Sequence, residues 1–222
     1  MTDTISQTDP NSWMAADLRA GPSKTFIEVP GSTSYSYAAA DEWSLRMGAA
    51  VRSLGVEPGD RVAVQVEKSP EAFLLYLACL RTGAVFVPLN TAYTPAELSY
   101  FLADAEPRLF VVQPDLQATL EPLARAAGVA HVATLGIAAD GSLMQAAKQA
   151  HATPELLFAG TPDSLAALLY TSGTTGRSKG AMLTRRNLAS NAAALVAAWR
   201  FEARDVVQIG RASCRERVLE LV

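Results

Sequence analysis

From residue 61 to residue 134 the chain alternates short apolar runs with segments that carry helix-start signals, and this alternation constrains the fold more than any other feature. Residues 61–66 hold three valines among small residues, the composition of a strand buried on both faces. Ser69-Pro70-Glu71 follows, with Ser69 placed as N-cap, Pro70 at the first helical position and Glu71 in the first turn. That pattern predicts a helix to about residue 81, ended by Gly83, and then a strand over 84–87. Thr94-Pro95-Ala96-Glu97 has the form of a capping box opening a helix to about residue 103. Beyond it the sequence predicts a strand at 109–112, a helix at 115–127, a strand at 129–134 and a weaker helix at 142–150.

Ahead of this region, residues 24–29 and 33–35 read as a strand pair around the turn signal Pro30-Gly31. A helix is predicted over 38–54, because Trp43, Met47, Ala50, Val51 and Leu54 recur at three- and four-residue spacing. Strand and helix thus alternate, which calls for an α/β fold: a mostly parallel sheet flanked by helices with right-handed crossovers. Half of the 222 residues are apolar, enough for a sizeable core.

A connector at 151–162 leads to residues 165–170, read as a buried strand, and then to Thr171-Ser172-Gly173-Thr174-Thr175-Gly176-Arg177-Ser178-Lys179-Gly180. Residues 181–183 read as the strand leading out, Thr184 as N-cap of a helix over 185–199, and 205–208 as one more strand. The loop carries three glycines, five Ser or Thr hydroxyls and one lysine. Glycines let backbone N–H groups turn toward an anion, hydroxyls add short donors, and a lysine brings a mobile positive charge, so the composition suits a polyphosphate. A flexible connector has no need of so many consecutive donors between two strands. The loop is not a Walker A motif either: Ser178 precedes Lys179 where that motif has glycine, and Gly180 follows where it has Ser or Thr.

The net charge of −3, with both signs dispersed, argues against a nucleic-acid surface or a polybasic membrane anchor, and neither partner is predicted. Residues 1–10 are polar and lack an apolar signal core, and the longest apolar run, 73–80, is too short to span a bilayer. Cys79 sits inside an apolar helical pattern and is expected to be buried; with Cys214 the only other cysteine, no disulfide framework is expected, and a cytoplasmic setting fits. His131 and His151 belong to no ligand-spaced cluster, so no metal site is predicted, and no Ser-His-Asp or Cys-His pairing emerges.

Residues Thr171 through Gly180 fill every position of the signature [ST]-S-G-[ST]-[ST]-G-x-x-K-G, and on that motif the chain resembles the adenylate-forming enzymes, which include acyl-CoA synthetases, luciferases and peptide-synthetase adenylation domains. Many members have a proline just before the lysine; Arg177-Ser178 stands there instead, a variant shared with malonyl-CoA synthetase-like members. Gly55-Val56-Glu57-Pro58-Gly59-Asp60-Arg61-Val62 resembles the G-V-x-P-G-D-R-V element of acyl-CoA synthetases. Ser69-Pro70-Glu71-Ala72, Val87-Pro88-Leu89-Asn90, Tyr93, Glu97-Leu98 and Asp104-Ala105 extend the likeness over most of residues 25–208. These outer pieces are turn, cap and packing residues.

The resemblance implies that a carboxylic acid attacks ATP to give an acyl-adenylate and pyrophosphate, and that the thiol of coenzyme A then displaces AMP, with Mg²⁺ neutralising the phosphates. It carries phosphate binding to Thr171, Ser172, Gly173, Thr174, Thr175, Gly176 and Lys179, with Lys179 and Thr174 in the catalytic roles. The physical logic is stabilisation of charge on the leaving pyrophosphate, with glycines allowing the loop to close and release. Malonate or a methyl-substituted malonate is the acid it suggests. It further implies that residues 1–208 form an incomplete N-terminal part of the large domain, with the phosphate loop at 170–180 and the adenine, ribose and second-lysine motifs and the small C-terminal domain absent. On this expectation the chain alone is an inert fragment or a non-enzymatic nucleotide-binding module. Residues Ile209-Gly210-Arg211-Ala212-Ser213-Cys214-Arg215-Glu216-Arg217-Val218 resemble the translation of a sequencing adapter, so 209–222 are expected to be a non-native tail.

Overall fold

The computed structural model describes residues 21–171, 178–202, 205–209 and 219–221. Its main sheet has six strands, β3 (Arg61–Gln65), β4 (Val85–Pro88), β5 (Leu109–Val112), β6 (His131–Thr134), β7 (Leu165–Thr171) and β8 (Lys179–Thr184), in the order β6-β5-β3-β4-β7-β8. All neighbours run parallel except β7 and β8, which form an antiparallel hairpin. A smaller antiparallel sheet has the order β2-β1-β10-β9, from β1 (Thr25–Glu28), β2 (Ser34–Ser36), β9 (Val207–Ile209) and β10 (Leu219–Leu221). The α/β reading of the sequence is therefore the observed architecture, and β10 adds three residues of the 209–222 segment to the small sheet as a strand.

Between the strands lie α1 (Tyr37–Ser53), α2 (Pro70–Thr82), α3 (Pro95–Ala105), α4 (Gln117–Ala126), α5 (Ser142–Gln149) and, after β8, α6 (Arg185–Trp199). The period-2 pleat of β3 and β5 divides the core into two layers. Val62, Val64, Leu109 and Val111 join α1, α2 and α5 on one face, while Ala63, Phe110 and Val112 join α3 and α4 on the other. With both faces covered, every residue of β5 is buried. Full burial of a Leu or Phe side chain in such a layer contributes about 1.5–3 kcal/mol relative to exposure.

The helix starts follow the cap signals. The Ser36 hydroxyl accepts from Ala39 N at 3.2 Å and that of Ser69 from Ala72 N at 3.0 Å, satisfying end donors that have no partner within the helix. Thr94 and Glu97 make the reciprocal capping box, as do Thr184 and Asn187 at α6. Gly83 ends α2 in the left-handed region, with φ +81°. Glu71 does more than favour the helix dipole: it is buried and accepts the Tyr35 hydroxyl at 2.6 Å, and burial with that carboxylate pushes the Tyr35 phenol well above its ordinary range. Arg81, buried in the last turn of α2, pairs with Asp41 at 2.8 Å and donates to the Ser44 hydroxyl at 2.7 Å, which ties α2 to α1.

Three expectations need correction. The helix expected at 115–127 is a 3-10 turn, Pro114–Leu116, followed by α4, because Pro114 sets the first turn before the regular ladder begins. Strand β6 starts two residues later than the apolar run, at His131, where pairing with Leu109 begins. And β7 is only half buried: Ala166 and Ala167 are covered, whereas Leu169 is 36% exposed and Thr171 is exposed. β7 lies between β4 and the edge strand β8, and from Leu168 onward its residues are partly covered or exposed, so the apolar composition of the strand is not matched by cover on both faces.

Candidate functional site

Strands β7 and β8 bring the two ends of the glycine-rich loop together. Thr171, last in β7, and Lys179, first in β8, are partners across the ladder, so their Cα atoms lie roughly 5 Å apart. Because β7 runs parallel to β4, Thr171 stands at the carboxyl edge of the parallel sheet, the edge at which open α/β sheets carry their ligands. Ser172, Gly173, Thr174, Thr175 and Gly176 lie outside the described residues. Thr171 and Lys179 are both solvent-exposed, and the Lys179 ammonium makes no ion pair with a described residue.

Helix α3 grips both stems of the hairpin. The Tyr100 hydroxyl donates to the backbone oxygen of Ser178, immediately before Lys179, at 2.8 Å. One turn further on, the Asp104 carboxylate accepts the Tyr170 hydroxyl at 2.6 Å. Spaced four residues apart, Tyr100 and Asp104 project from one face of the helix. Between them Phe101, buried, stacks on the Tyr170 ring with centroids 4.5 Å apart, and Tyr93 continues the aromatic cluster 4.7 Å from Phe101. Burial, and then the Asp104 carboxylate, pushes the Tyr170 phenol well above its ordinary range, so at neutral pH it keeps its proton on that hydrogen bond. Across the ladder from Tyr170 is Gly180, where an added Cβ would come within 2.9 Å of Leu168 Cδ1 and 3.5 Å of the Tyr170 ring; the two side chains cover the bare backbone.

The far end of β8 is tied to the rest of the domain by Arg185, the first residue of α6 and buried. Its Nη2 donates to the Leu80 carbonyl at 2.8 Å, in the last turn of α2, and to Phe158 O at 3.4 Å, while its guanidinium lies 5.1 Å from the centre of the Phe158 ring. The 151–162 connector is thereby pinned between α2 and the hairpin, as Phe158 N also donates to Arg81 O at 2.8 Å.

Sequence reasoning found the loop and its two flanking residues but passed over Tyr100 and Arg185 and took Asp104 as a turn, cap or packing residue. Tyr100 and Asp104 carried one usable signal, polar groups at i and i+4 on a helix otherwise patterned for burial; Arg185 carried none, since an arginine at a helix start reads as surface charge. Asn90, at the Pro88-Leu89-Asn90 corner, proves to be a turn residue: its Oδ1 accepts from Ala92 N at 2.9 Å and its carbonyl from Gln65 Nε2 at 2.9 Å.

As chemistry, the hairpin end presents an ammonium and a hydroxyl to solvent at the sheet's carboxyl edge, a donor set that fits a phosphate. Among the described residues no group of three or more His, Cys, Asp or Glu side chains can hold a metal ion. Also among the described residues, no helix is long and apolar enough to cross a membrane.

A mostly parallel sheet with helices on both faces and a Ser/Thr/Gly loop closed by a lysine is the arrangement expected of the adenylate-forming enzymes. The sequence profile of the AMP-binding enzyme family matches residues 14–212, and the chain belongs to that family. It is 34% identical over 184 residues to feruloyl-CoA synthase of Amycolatopsis sp, a match covering 81% of this chain and 34% of that protein. With sulfoacetate–CoA ligase of Cupriavidus necator it shares 34% identity over 173 residues, 77% of this chain and 33% of that one. MatB from Rhodopseudomonas palustris, solved both without nucleotide and with ATP bound, superposes with a TM-score of 0.81 at 44% identity, over 87% of this chain and 38% of MatB. The chain spans about a third of the length of these two curated relatives.

Proposed function

We propose that this chain supplies the pyrophosphate-holding part of an ATP-dependent acyl-CoA synthetase, which joins a carboxylic acid to the thiol of coenzyme A. The observation that carries the reading is the β7–β8 hairpin, whose ends set Thr171 beside Lys179 at the mouth of a loop with the full adenylate-forming signature. ATP, when bound, supplies the activated phosphate and carries pyrophosphate as the leaving group. Lys179 and the hydroxyl of Thr171 would hold the departing phosphates, and the donors Ser172, Gly173, Thr174, Thr175 and Gly176 would complete the cradle, with Lys179 and Thr174 as the catalytic pair. Mg²⁺ belongs to this reading as a companion of the phosphates.

Malonate or a methyl-substituted malonate is the acid we propose. Support comes from Arg177-Ser178 in place of the usual proline and from the small dianionic acid in the name of the Cupriavidus relative. The same proposal takes the protein to be cytoplasmic, in keeping with the free thiol of Cys79, and residues 209–222 to be a non-native tail, of which the family match takes in 209–212 and leaves out the rest. Sequencing the locus tests the tail; a genomic frame that encodes these residues would remove it.

The deciding experiment is Lys179→Ala in the full-length enzyme, followed by ATP–pyrophosphate exchange. Loss of one preorganised donor to the leaving group should slow exchange about a hundredfold, with the KM for the acid little changed. Exchange at the parent rate would defeat the assignment.

A second reading concerns the chain on its own, as a catalytically inert fragment or a non-enzymatic nucleotide-binding module. It is favoured by the apolar surface left open around the hairpin and α6, where Met182 is 70%, Trp199 65% and Val196 51% exposed. Calorimetric titration with ATP separates the possibilities: heat from the full-length enzyme alone indicates an inert fragment, saturable binding to both without turnover by this chain indicates a binding module, and pyrophosphate exchange by this chain would exclude both.

A further inference from the structure

We infer that Tyr100 is a positioning residue for Lys179, acting through the backbone of the loop's outgoing stem. This rests on the acyl-CoA synthetase reading and deepens it. A lysine that neutralises a leaving phosphate gains rate only if its Cα is held while charge develops, because a side chain with four rotatable bonds already spreads its charge over many positions. The β7–β8 ladder holds Lys179 from the side of Thr171; a second hold must stop it from the side of Ser178.

The Tyr100 hydroxyl is that stop. It donates to Ser178 O at 2.8 Å, one peptide before Lys179 and outside the β7–β8 ladder, whose last pair is Thr171 with Lys179. The donor is itself fixed. Tyr100 stands on α3, whose N-terminus is locked by the Thr94–Glu97 capping box with Pro95 in the first turn, and whose next residue, Phe101, is buried between Tyr93 and Tyr170. The Tyr100 ring meets Phe101 at 5.4 Å and the Tyr170 ring edge-on at 6.5 Å, which restricts its own rotation. The incoming stem is held from the same helix by Asp104 on the Tyr170 hydroxyl. One rigid helix thus fixes both stems, and the two holds differ in kind: Asp104 fixes a strand side chain, whereas Tyr100 fixes the peptide that carries the catalytic lysine.

The test is a double-mutant cycle on the full-length enzyme read by ATP–pyrophosphate exchange. Tyr100→Phe keeps the stacked ring and removes only the hydroxyl, so its melting temperature should stay within a few degrees of the parent. Its kcat for exchange should fall about tenfold, the scale of one lost hydrogen bond, with the KM for the acid unchanged. In a Lys179→Ala background the same Tyr100→Phe change should have almost no further effect, because the group being positioned is gone. Equal tenfold losses in both backgrounds would reduce Tyr100 to general support of the fold and overturn the proposal. A Tyr100→Phe enzyme at the parent rate beside a slow Lys179→Ala enzyme would overturn the positioning role alone; a Lys179→Ala enzyme at the parent rate would overturn the functional reading, and this proposal with it.

Discussion

Gly83→Ala is the substitution whose cost is most fully set by the described geometry. Gly83 caps α2 at φ +81°, a conformation that costs an alanine roughly 1 kcal/mol through the clash of Cβ with the following carbonyl. A Cβ built there also lies 2.5 Å from both Cγ and Cδ1 of Phe158 and 3.0 Å from its Cβ, contacts that no side-chain rotation near the ring's root relieves. Overpacking of that kind costs about 1–3 kcal/mol, so the expected total is about 2–4 kcal/mol. Most of the steric share can be isolated: in a Phe158→Ala background, which removes the ring and leaves the 3.0 Å contact with Cβ, the same change should cost little more than the left-handed share, about 1 kcal/mol. Urea unfolding followed by circular dichroism on all four proteins measures both numbers, read as a shift in midpoint at constant slope. Equal costs in the two backgrounds would refute the steric part. The position matters beyond stability, because Phe158 lies against the Arg185 guanidinium, and displacing the ring loosens the anchor at the far end of β8.

Two other consequences can be measured on the same protein. Burial pushes the Cys79 thiol up to about 12, so at pH 8 iodoacetamide should leave it unmodified in the native state and alkylate it once urea unfolds the chain, as followed by peptide mapping; rapid native labelling at Cys79 would contradict its burial. The Glu97 carboxylate accepts from Thr94 N at 2.8 Å and from its hydroxyl at 2.7 Å, and these bonds lower its pKa from 4.5. Since the folded value is the depressed one, its contribution is fully present above the unfolded value and is lost as pH falls through the folded one. A ¹³C titration of Glu97 should give a midpoint below 4.5, and Glu97→Gln should flatten the loss of stability on acidification; a midpoint at or above 4.5 would break the cap argument.

What the sequence determined by itself is local. Ser69-Pro70, Thr94 to Glu97 and Thr184 announce helix starts because a cap is satisfied within four residues, and 109–112 is read correctly as a strand because valines packed on both faces leave no polar alternation. The loop's donors were legible for the same reason: their chemistry lies in consecutive residues. Only the tertiary structure decided how that loop is held. Tyr100 and Ser178 are 78 residues apart, Tyr170 and Asp104 66, and Arg185 and Leu80 105, and nothing in either local sequence names its partner. The exposure of Leu169 was hidden likewise, since burial depends on which strand lies alongside, and strand order follows from the packing of whole helices rather than from the composition of the strand. A sequence can specify which groups meet an anion when they share a turn; which groups steady them depends on a sheet order that no short segment contains.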